Sequence, residues 1–267
     1  MAIRDVHRAM ASLFRDIFEH RELLQILIAR NLTIRYKNSA LGFFWTLLGP
    51  LFLIAIYALF LAILRFEINL PNLVTGILAW QFHAMCLSDS LHAILGNSNL
   101  VTKTSFPRII LPLATVAANV VNFALSLAVL VIYLLWVGAD FGALYLLPPV
   151  MITHFSLCLG LSLVLSAMNV FFRDTEHMLS VVLLAWFFLT PVIYPLDMII
   201  GHYHPLMHYL FFTNPLAGLI TAYRNIFLTE DLIPMSMLVA PIALSWAALG
   251  FGVWIFQAVQ GRFGDEL

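Results

Sequence analysis

Charged residues are scarce in this chain, and long stretches of it have none. Asp, Glu, Lys and Arg make up 10% of its 267 residues, whereas soluble domains carry about 25%. The uncharged runs are 38–64, 68–88, 109–139, 141–172, 177–196, 198–223 and 232–261. Each reaches the roughly 20 residues that a helix needs to cross a bilayer. Because lipid forces the backbone to satisfy its own hydrogen bonds, these runs predict an all-α polytopic membrane protein.

Catalytic and energy-coupling motifs are also absent. Gly is never followed by Lys, so the chain has no G-x-x-x-x-G-K-[ST] loop to hold ATP phosphates. It has neither a G-x-S-x-G nucleophile elbow nor an H-E-x-x-H motif. No pair of ionisable residues lies deep within the apolar runs, where an ion relay would need it, and the nearest candidate is Asp89. We therefore predict no enzymatic activity for this chain alone, and any energy for transport must come from a partner.

Cysteine is rare, and the histidines give no clear metal motif. Cys86 and Cys158 both lie in apolar runs and are interpreted as packing residues, with neither a disulfide nor a metal. His202, His204 and His208 have a spacing compatible with a metal, but Pro205 interrupts the helix between them. An interfacial position near lipid head groups is the favoured interpretation, so no metal and no cofactor are predicted.

The few basic residues predict how the chain is threaded. Seven of the 13 Lys and Arg residues precede position 38, which places the N-terminus in the cytoplasm by the positive-inside rule. The predicted spans are 41–64, 73–95, 109–137, 144–172, 178–196 and 232–258, with both termini cytoplasmic. A seventh span over 198–223 gives the same charge balance, eleven basic residues inside and two outside. Two Pro and three His in that stretch favour broken or re-entrant helices instead.

Residues 1–37 form a separate element from the transmembrane domain, 38–267. Apolar residues fall on one side of a helix, and charged residues lie opposite. The apolar set is Phe14, Ile17, Phe18, Leu24, Ile28 and Leu32, and the charged set is Arg15, Glu19, Glu22 and Arg30. We predict an amphipathic helix in the cytoplasmic head-group layer. An ordinary helix packed on the cytoplasmic loops is the alternative.

The internal loop 96–108 has the features of a contact surface for a soluble partner. Asn99 is predicted to cap a short helix, and Lys103 and Arg108 face the cytoplasm. Leu100, Val101 and Phe106 are predicted to be exposed, and Pro107 precedes the third span. A simple connector is the alternative.

Aromatic residues follow one side of two predicted spans. Trp45, Phe52, Ile56 and Phe60 share a stripe of span one, and Leu183, Phe187, Pro191 and Tyr194 share a stripe of span five. Aromatic faces can stack on the rings of a ligand, which makes the two stripes candidate substrate contacts. Packing against lipid or other helices is the alternative.

Five ordered motifs carry a family resemblance across nearly the whole chain. They are R-Y-K-x-S-x-L-G-x-x-W-x-x-x-x-P (35–50), N-L-V-x-K-x-x-F-P-R-x-x-L-P (99–112), F-R-D (172–174), T-P-V-x-Y-P (190–195) and N-P-L with Y-R (214–224). Together they resemble the permease subunit of ABC-transporter polysaccharide exporters, which have the type-2 exporter fold and move O-antigen, capsule or teichoic acid.

The resemblance implies a partner set and a role for several segments. It implies a homodimer in the cytoplasmic membrane, with two ATP-binding subunits that hold ATP and Mg, and a polymer attached to undecaprenyl diphosphate. It makes Asn99–Arg108 the coupling helix, residues 14–34 the interface helix and 197–228 the gate helices of the external segment 197–231. The channel-lining residues would be Trp45, Phe52, Phe60, Phe187 and Tyr194.

Arg224 is a candidate contact for the lipid carrier. It follows a helix start at Asn214 and Pro215, beside Tyr223, in an apolar stretch where a cation needs an anionic partner. The carrier diphosphate is one candidate partner. Pairing with Glu230 or Asp231, or extension of the side chain to the membrane surface, is the alternative.

The sequence also suits other functions. The same fold would suit an exporter of teichoic acid, lipid, haem or a drug. A membrane-embedded glycosyltransferase or acyltransferase is the alternative from a different class. Its polar candidates are Asp197 with the three histidines, and Arg173 with Asp174.

Overall fold

The computed structural model describes residue 13 and residues 15–37, 44–65, 69–138, 142–194, 213–228 and 235–267. Within these ranges the chain forms helices and no strands, which confirms the all-α class. The helices are α1 (Arg21–Tyr36), α2 (Phe44–Ile63), α3 (Leu70–Leu91), α4 (Ser98–Lys103), α5 (Ile110–Val137), α6 (Leu147–Phe171), α7 (Thr175–Leu189), α8 (Pro215–Leu228), α9 (Met235–Val259) and α10 (Phe263–Glu266).

Each of the six predicted apolar segments contains one long helix, and local signals decide where it begins and ends. α3 begins three residues before the predicted position because Asn69 caps it, its Oδ1 accepting from the backbone N–H of Asn72 at 3.2 Å. Pro71 lies in the first turn, where its missing N–H costs no helical hydrogen bond. α5 ends at Gly138, whose φ of 81° is left-handed and suits glycine.

The described helices are those of a multi-pass membrane protein. Ile110–Val137, Leu144–Phe171 and Leu238–Glu266 are long and apolar enough to cross a bilayer. Leu48–Ile63 and Thr175–Leu189 are shorter apolar helices of the same kind. Six crossings and the sidedness of the termini remain predictions.

α3 is the centre of the bundle, and α6 packs most extensively on α9. α3 contacts α2, α5, α6, α7 and α8, and most of its side chains are buried. The α6–α9 contact is close because glycines face the opposite backbone. A Cβ at Gly160 would strike the Ala248 carbonyl, and one at Gly252 would strike the Gly160 carbonyl. In lipid the hydrophobic effect does not drive helices together, so their association depends on close packing. Small residues such as these glycines permit that close approach.

The two N-terminal helices have few packing neighbours among the described residues. α1 lies against α5, and α2 contacts α3 and α5. A turn at His20 divides the predicted 14–34 helix. The predicted apolar face of this helix is only partly correct, since Ile17, Leu24 and Ile28 pack against the core whereas Phe18 is 75% exposed.

Candidate functional site

The internal segment 96–108 contains α4, and the start of this helix corrects one prediction. α4 begins one residue before Asn99, which therefore lies in its first turn and does not cap it. Asn97 occupies the cap position, but its side chain bonds elsewhere. Its Nδ2 donates to the Ala93 carbonyl at 2.8 Å, and its Oδ1 accepts from Arg30 Nη2 at 2.6 Å. Asn97 thus joins this segment to α1.

The outer surface of this segment is polar, which corrects the predicted apolar contact surface. Val101 is buried, whereas Asn99 and Lys103 are exposed. The half-buried members of the predicted set are Leu100, Phe106, Pro107 and Arg108. The apolar side of α4 therefore anchors it to the bundle, and polar side chains remain for any partner.

Arg108 is half-buried and bound within the chain. Its guanidinium donates to the carbonyl of Gln260, which lies just beyond α9. Next to this contact, the Arg262 guanidinium lies 5.2 Å from the ring centroid of Phe171, and Phe263 is fully buried. The C-terminal segment therefore supports α4 and holds its exposed surface in a fixed position.

A polar network that the sequence analysis missed joins α1 to α3 and α5. Arg35 forms a salt bridge with Asp89 and donates to Asn119 Oδ1 at 3.0 Å. Asn119 Nδ2 in turn donates to Asp89 Oδ2 at 2.8 Å. One residue on, Tyr36 donates its hydroxyl proton to Asn122 Oδ1 at 2.7 Å. Asp89 is a lone carboxylate next to an apolar run, and such a group needs a partner. This requirement is the feature of the sequence that could have indicated the network.

Polar residues in the second half of α1 therefore face the protein, whereas Glu22 in its first turn is exposed. Arg30 was predicted to lie on the solvent side, opposite the apolar stripe, but it binds Asn97. Packing of α1 on the loops and helices of the bundle, the alternative interpretation of this element, agrees with these contacts.

The predicted channel aromatics divide into an exposed group and an internal group. Trp45, Phe52 and Phe60 are exposed along one side of α2. Phe187 is buried in the core, with ring centroids 5.4 Å from Tyr57 and 5.3 Å from Trp80.

Tyr194 belongs to the internal group. It is half-buried, and its hydroxyl donates to the carbonyl of Phe188 at 2.9 Å. Phe187 packs within one chain, which corrects its assignment as a lining residue, whereas the assignment of the half-buried Tyr194 stays a prediction. The aromatic stripe of the fifth predicted span packs onto α2 and α3. The periodicity of α7 shows that this side is apolar, but it does not show which helices cover it.

Arg224 lies inside the bundle, which corrects its predicted position at an exposed gate. Its side chain is 4% exposed, and its guanidinium donates to three backbone carbonyls. Nε donates to Asn72 at 3.2 Å, Nη1 to Tyr194 at 3.1 Å and Nη2 to Val192 at 2.7 Å. Gly76 makes room for it, because a Cβ there would lie 2.7 Å from Nη2. A carrier diphosphate could reach Arg224 only if these bonds opened.

The other two predicted gate residues are also internal. Asn214 is the helix cap that the sequence predicted, since its Oδ1 accepts from the backbone N–H of Leu216 at 3.2 Å. The same amide accepts from Trp186 Nε1 at 3.0 Å and donates to Thr190 Oγ1 at 2.9 Å, so it joins α8 to α7. Tyr223 is fully buried. Glu230 and Asp231 lie outside the described residues.

A buried cluster of potential metal ligands is the second feature that the sequence analysis missed. One ligand atom each of His83, His154 and Cys158 lies within 4.8 Å of the others, and all three residues are fully buried. Sequence could have indicated them, because His83 with Cys86 and His154 with Cys158 have helical spacings of three and four residues. His202, His204 and His208 lie outside the described residues.

Comparison with known proteins gives matches over most of the chain. The profile of the family described as "ABC-2 type transporter" matches residues 22–228. A Myxococcus xanthus protein named O-antigen export system permease protein RfbA is 32% identical over 267 residues, which cover 97% of this chain and 100% of that protein. A Klebsiella pneumoniae protein of the same name is 31% identical over 252 residues, which cover 92% of this chain and 95% of that protein.

Proposed function

The chain belongs to the ABC-2 type transporter family, and from that premise we propose that it is the transmembrane subunit of an ATP-driven O-antigen exporter. The observation that carries this proposal is the full-length likeness to permeases named for O-antigen export. In this proposal the polymer crosses the inner membrane attached to undecaprenyl diphosphate. The long uncharged helices support the proposal, because they give the chain the means to form a path through lipid.

The energy would come from two ATP-binding subunits that hold ATP and Mg. The chain is a transport permease and has no phosphate-binding loop in its sequence. We propose that these subunits dock on α4, where Asn99 and Lys103 are exposed. The contact between Arg108 and Gln260 supports this assignment, because a surface that receives force must be braced by the rest of the fold.

Two long-range contacts favour six crossings with both termini in the cytoplasm. Asn97 binds Arg30, and Arg108 binds Gln260, so α1, the 96–108 segment and the C-terminal segment lie at one end of the bundle. Six crossings place all three on the same side of the membrane. Seven crossings would place the C-terminal segment opposite Arg108, where this contact could not form.

A second copy of the chain would complete the channel. α2 packs on its neighbours from one side and leaves Trp45, Phe52 and Phe60 exposed. A moving polymer needs contacts that are weak and numerous, because one tight site would stall it. Stacking on aromatic faces, worth on the order of 1 kcal/mol per contact, meets that need. We therefore propose that the α2 faces of two copies line the path.

Deletion of the gene tests this function. The mutant should lose O-antigen from the cell surface and accumulate lipid-linked polymer at the inner membrane. Re-expression with an intact ATP-binding subunit should restore export, and a subunit unable to hydrolyse ATP should not. If the mutant makes no polymer at all, the chain acts in synthesis, and the transferase alternative replaces the exporter.

A further inference from the structure

Two adjacent helices bring four metal-binding side chains into the interior of the bundle. α3 contributes His83 and Cys86, and α6 contributes His154 and Cys158. All four residues have no exposed surface. α3 and α6 contact each other along this region, and Cys158 meets both His83 and Cys86 across the helix interface.

The contacts within the cluster leave ligand atoms available. Cys158 Sγ lies 3.4 Å from His83 Nδ1, and its thiol also interacts with the thiol of Cys86. His83 Nε2 has no hydrogen-bond partner among the described residues, and the Cys158 thiol is a neighbour of the His154 ring. An imidazole that is fully buried without a partner is costly, since buried polar groups are normally bonded. A ligand that took up the lone pair of such a nitrogen would relieve this cost.

We propose that the cluster binds a structural Zn²⁺ ion, held by His83, His154 and Cys158, with Cys86, whose thiol contacts that of Cys158, moving in as the fourth ligand. Two thiolates and two imidazoles are a typical tetrahedral zinc set. Soft sulfur together with imidazole also selects zinc over the hard cations that prefer oxygen ligands.

The charge balance suits a site within a membrane. Binding displaces one proton from each of the two thiols, which leave as solvated protons. The resulting centre of one Zn²⁺, two thiolates and two neutral imidazoles has no net charge. A buried centre without net charge avoids the large cost of an isolated ion in a medium of low dielectric constant.

The distances are close to those that zinc requires. Zn–N and Zn–S bonds of about 2.0 and 2.3 Å at a tetrahedral angle put a nitrogen and a sulfur ligand about 3.5 Å apart. The 3.4 Å between Cys158 Sγ and His83 Nδ1 matches that separation. The widest spacing among His83, His154 and Cys158, within 4.8 Å, needs a contraction of at most about 1.5 Å, and Cys86 must also move towards the other three.

The proposed ion would fasten α3 to α6 and would load as the chain folds. Because the site is fully buried, added chelator should remove zinc from the folded protein only slowly. Metal content must therefore be set during growth, in medium that is zinc-replete, zinc-depleted or supplemented with Co²⁺.

Metal analysis of the purified exporter complex, with the affinity tag removed, tests the proposal. We expect about one zinc per copy of this chain from zinc-replete cells. Cys158→Ser and His154→Gln should each lower that content about tenfold or more. A matched control replaces His202, His204 and His208 with Ala, and it should retain the zinc. Loss of zinc in this control with retention in Cys158→Ser would overturn the proposal.

A second measurement uses the wild-type chain, so it does not depend on variants that fold. Protein from cobalt-grown cells should show the ultraviolet charge-transfer band of a thiolate–Co²⁺ bond. Wild-type protein with neither zinc nor this band, or with a Cys86–Cys158 disulfide in mass spectrometry, refutes the site. The inference rests on the cluster alone, so its failure would leave the exporter proposal untouched.

Discussion

The Arg35 guanidinium forms a salt bridge with the Asp89 carboxylate, which joins α1 to α3 across 54 positions of sequence. The two side chains are 27% and 35% exposed, so water screens the pair only partly. Asn119 bonds to both partners and fixes their geometry. The N-terminal helix is therefore bound to the bundle by a charged network in addition to apolar packing.

Breaking this network should release α1. Asp89→Asn should lower stability by on the order of 1–2 kcal/mol, because Arg35 loses its charged acceptor. The measurement is the apparent Tm in detergent, together with protease cleavage between α1 and α2. Reversal of the exposed pair Arg15 and Glu19 is the control, and it should change stability by less than about 0.5 kcal/mol. If Asp89→Asn and the Arg15–Glu19 reversal change the apparent Tm equally, the role given to Asp89 is wrong.

Removing the Arg224 side chain should unfold the region around α8. Arg224→Met deprives the carbonyls of Asn72, Val192 and Tyr194 of a donor, and we expect a loss of about 3 kcal/mol. Arg173→Met, at an exposed position, is the control. Retained Tm with lost export in Arg224→Met would instead favour the predicted contact with the carrier diphosphate.

The glycines between α6 and α9 should tolerate no side chain. Gly160→Ala and Gly252→Ala each place a Cβ against backbone, so we expect a loss of about 1–3 kcal/mol and poor expression. Gly49→Ala is the matched control. It has open space around it on α2 and gains helix propensity. Normal folding of Gly252→Ala would mean that the two helices lie further apart.

Lys103 and Arg108 should respond differently to substitution. Lys103→Glu should reduce export about tenfold without a change in Tm, because the side chain is exposed at the proposed docking surface. Arg108→Ala should lower both Tm and export, because it loses its bond to Gln260. Export and ATP hydrolysis are measured in reconstituted vesicles, with Arg173→Glu as the exposed control. If Lys103→Glu exports normally, the partner docks elsewhere.

Cysteines on the exposed side of α2 should report the path of the polymer. Phe52→Cys and Phe60→Cys should crosslink to polymer only during ATP hydrolysis, since the proposed path opens between two copies. Ile54→Cys is the control, because Ile54 is buried on the same helix and should stay unreactive. Reaction of positions 52 and 60 with lipid-soluble probes in the resting complex would place this face in the bilayer.

The helices could be predicted closely, whereas the environment of individual residues could not. Six of the seven uncharged runs each contain one long apolar helix among the described residues, and Asn214 was correctly identified as a cap. Phe187 was assigned to a channel because its stripe is aromatic, but it packs against Trp80. A stripe shows that one side of a helix is apolar without showing which neighbour covers it. The same limit explains why Val101 was predicted to be exposed.

Sequence by itself determined the class of the protein and the position of its helices. Both follow from local physics, since a run of apolar residues in lipid must bond its own backbone within the segment. Only the tertiary structure decided which polar groups meet. Arg224 binds a carbonyl 152 positions away, and His83 approaches Cys158 across 75 positions. Such contacts depend on how helices pack, because burial forces each polar group to find a partner wherever the fold brings one.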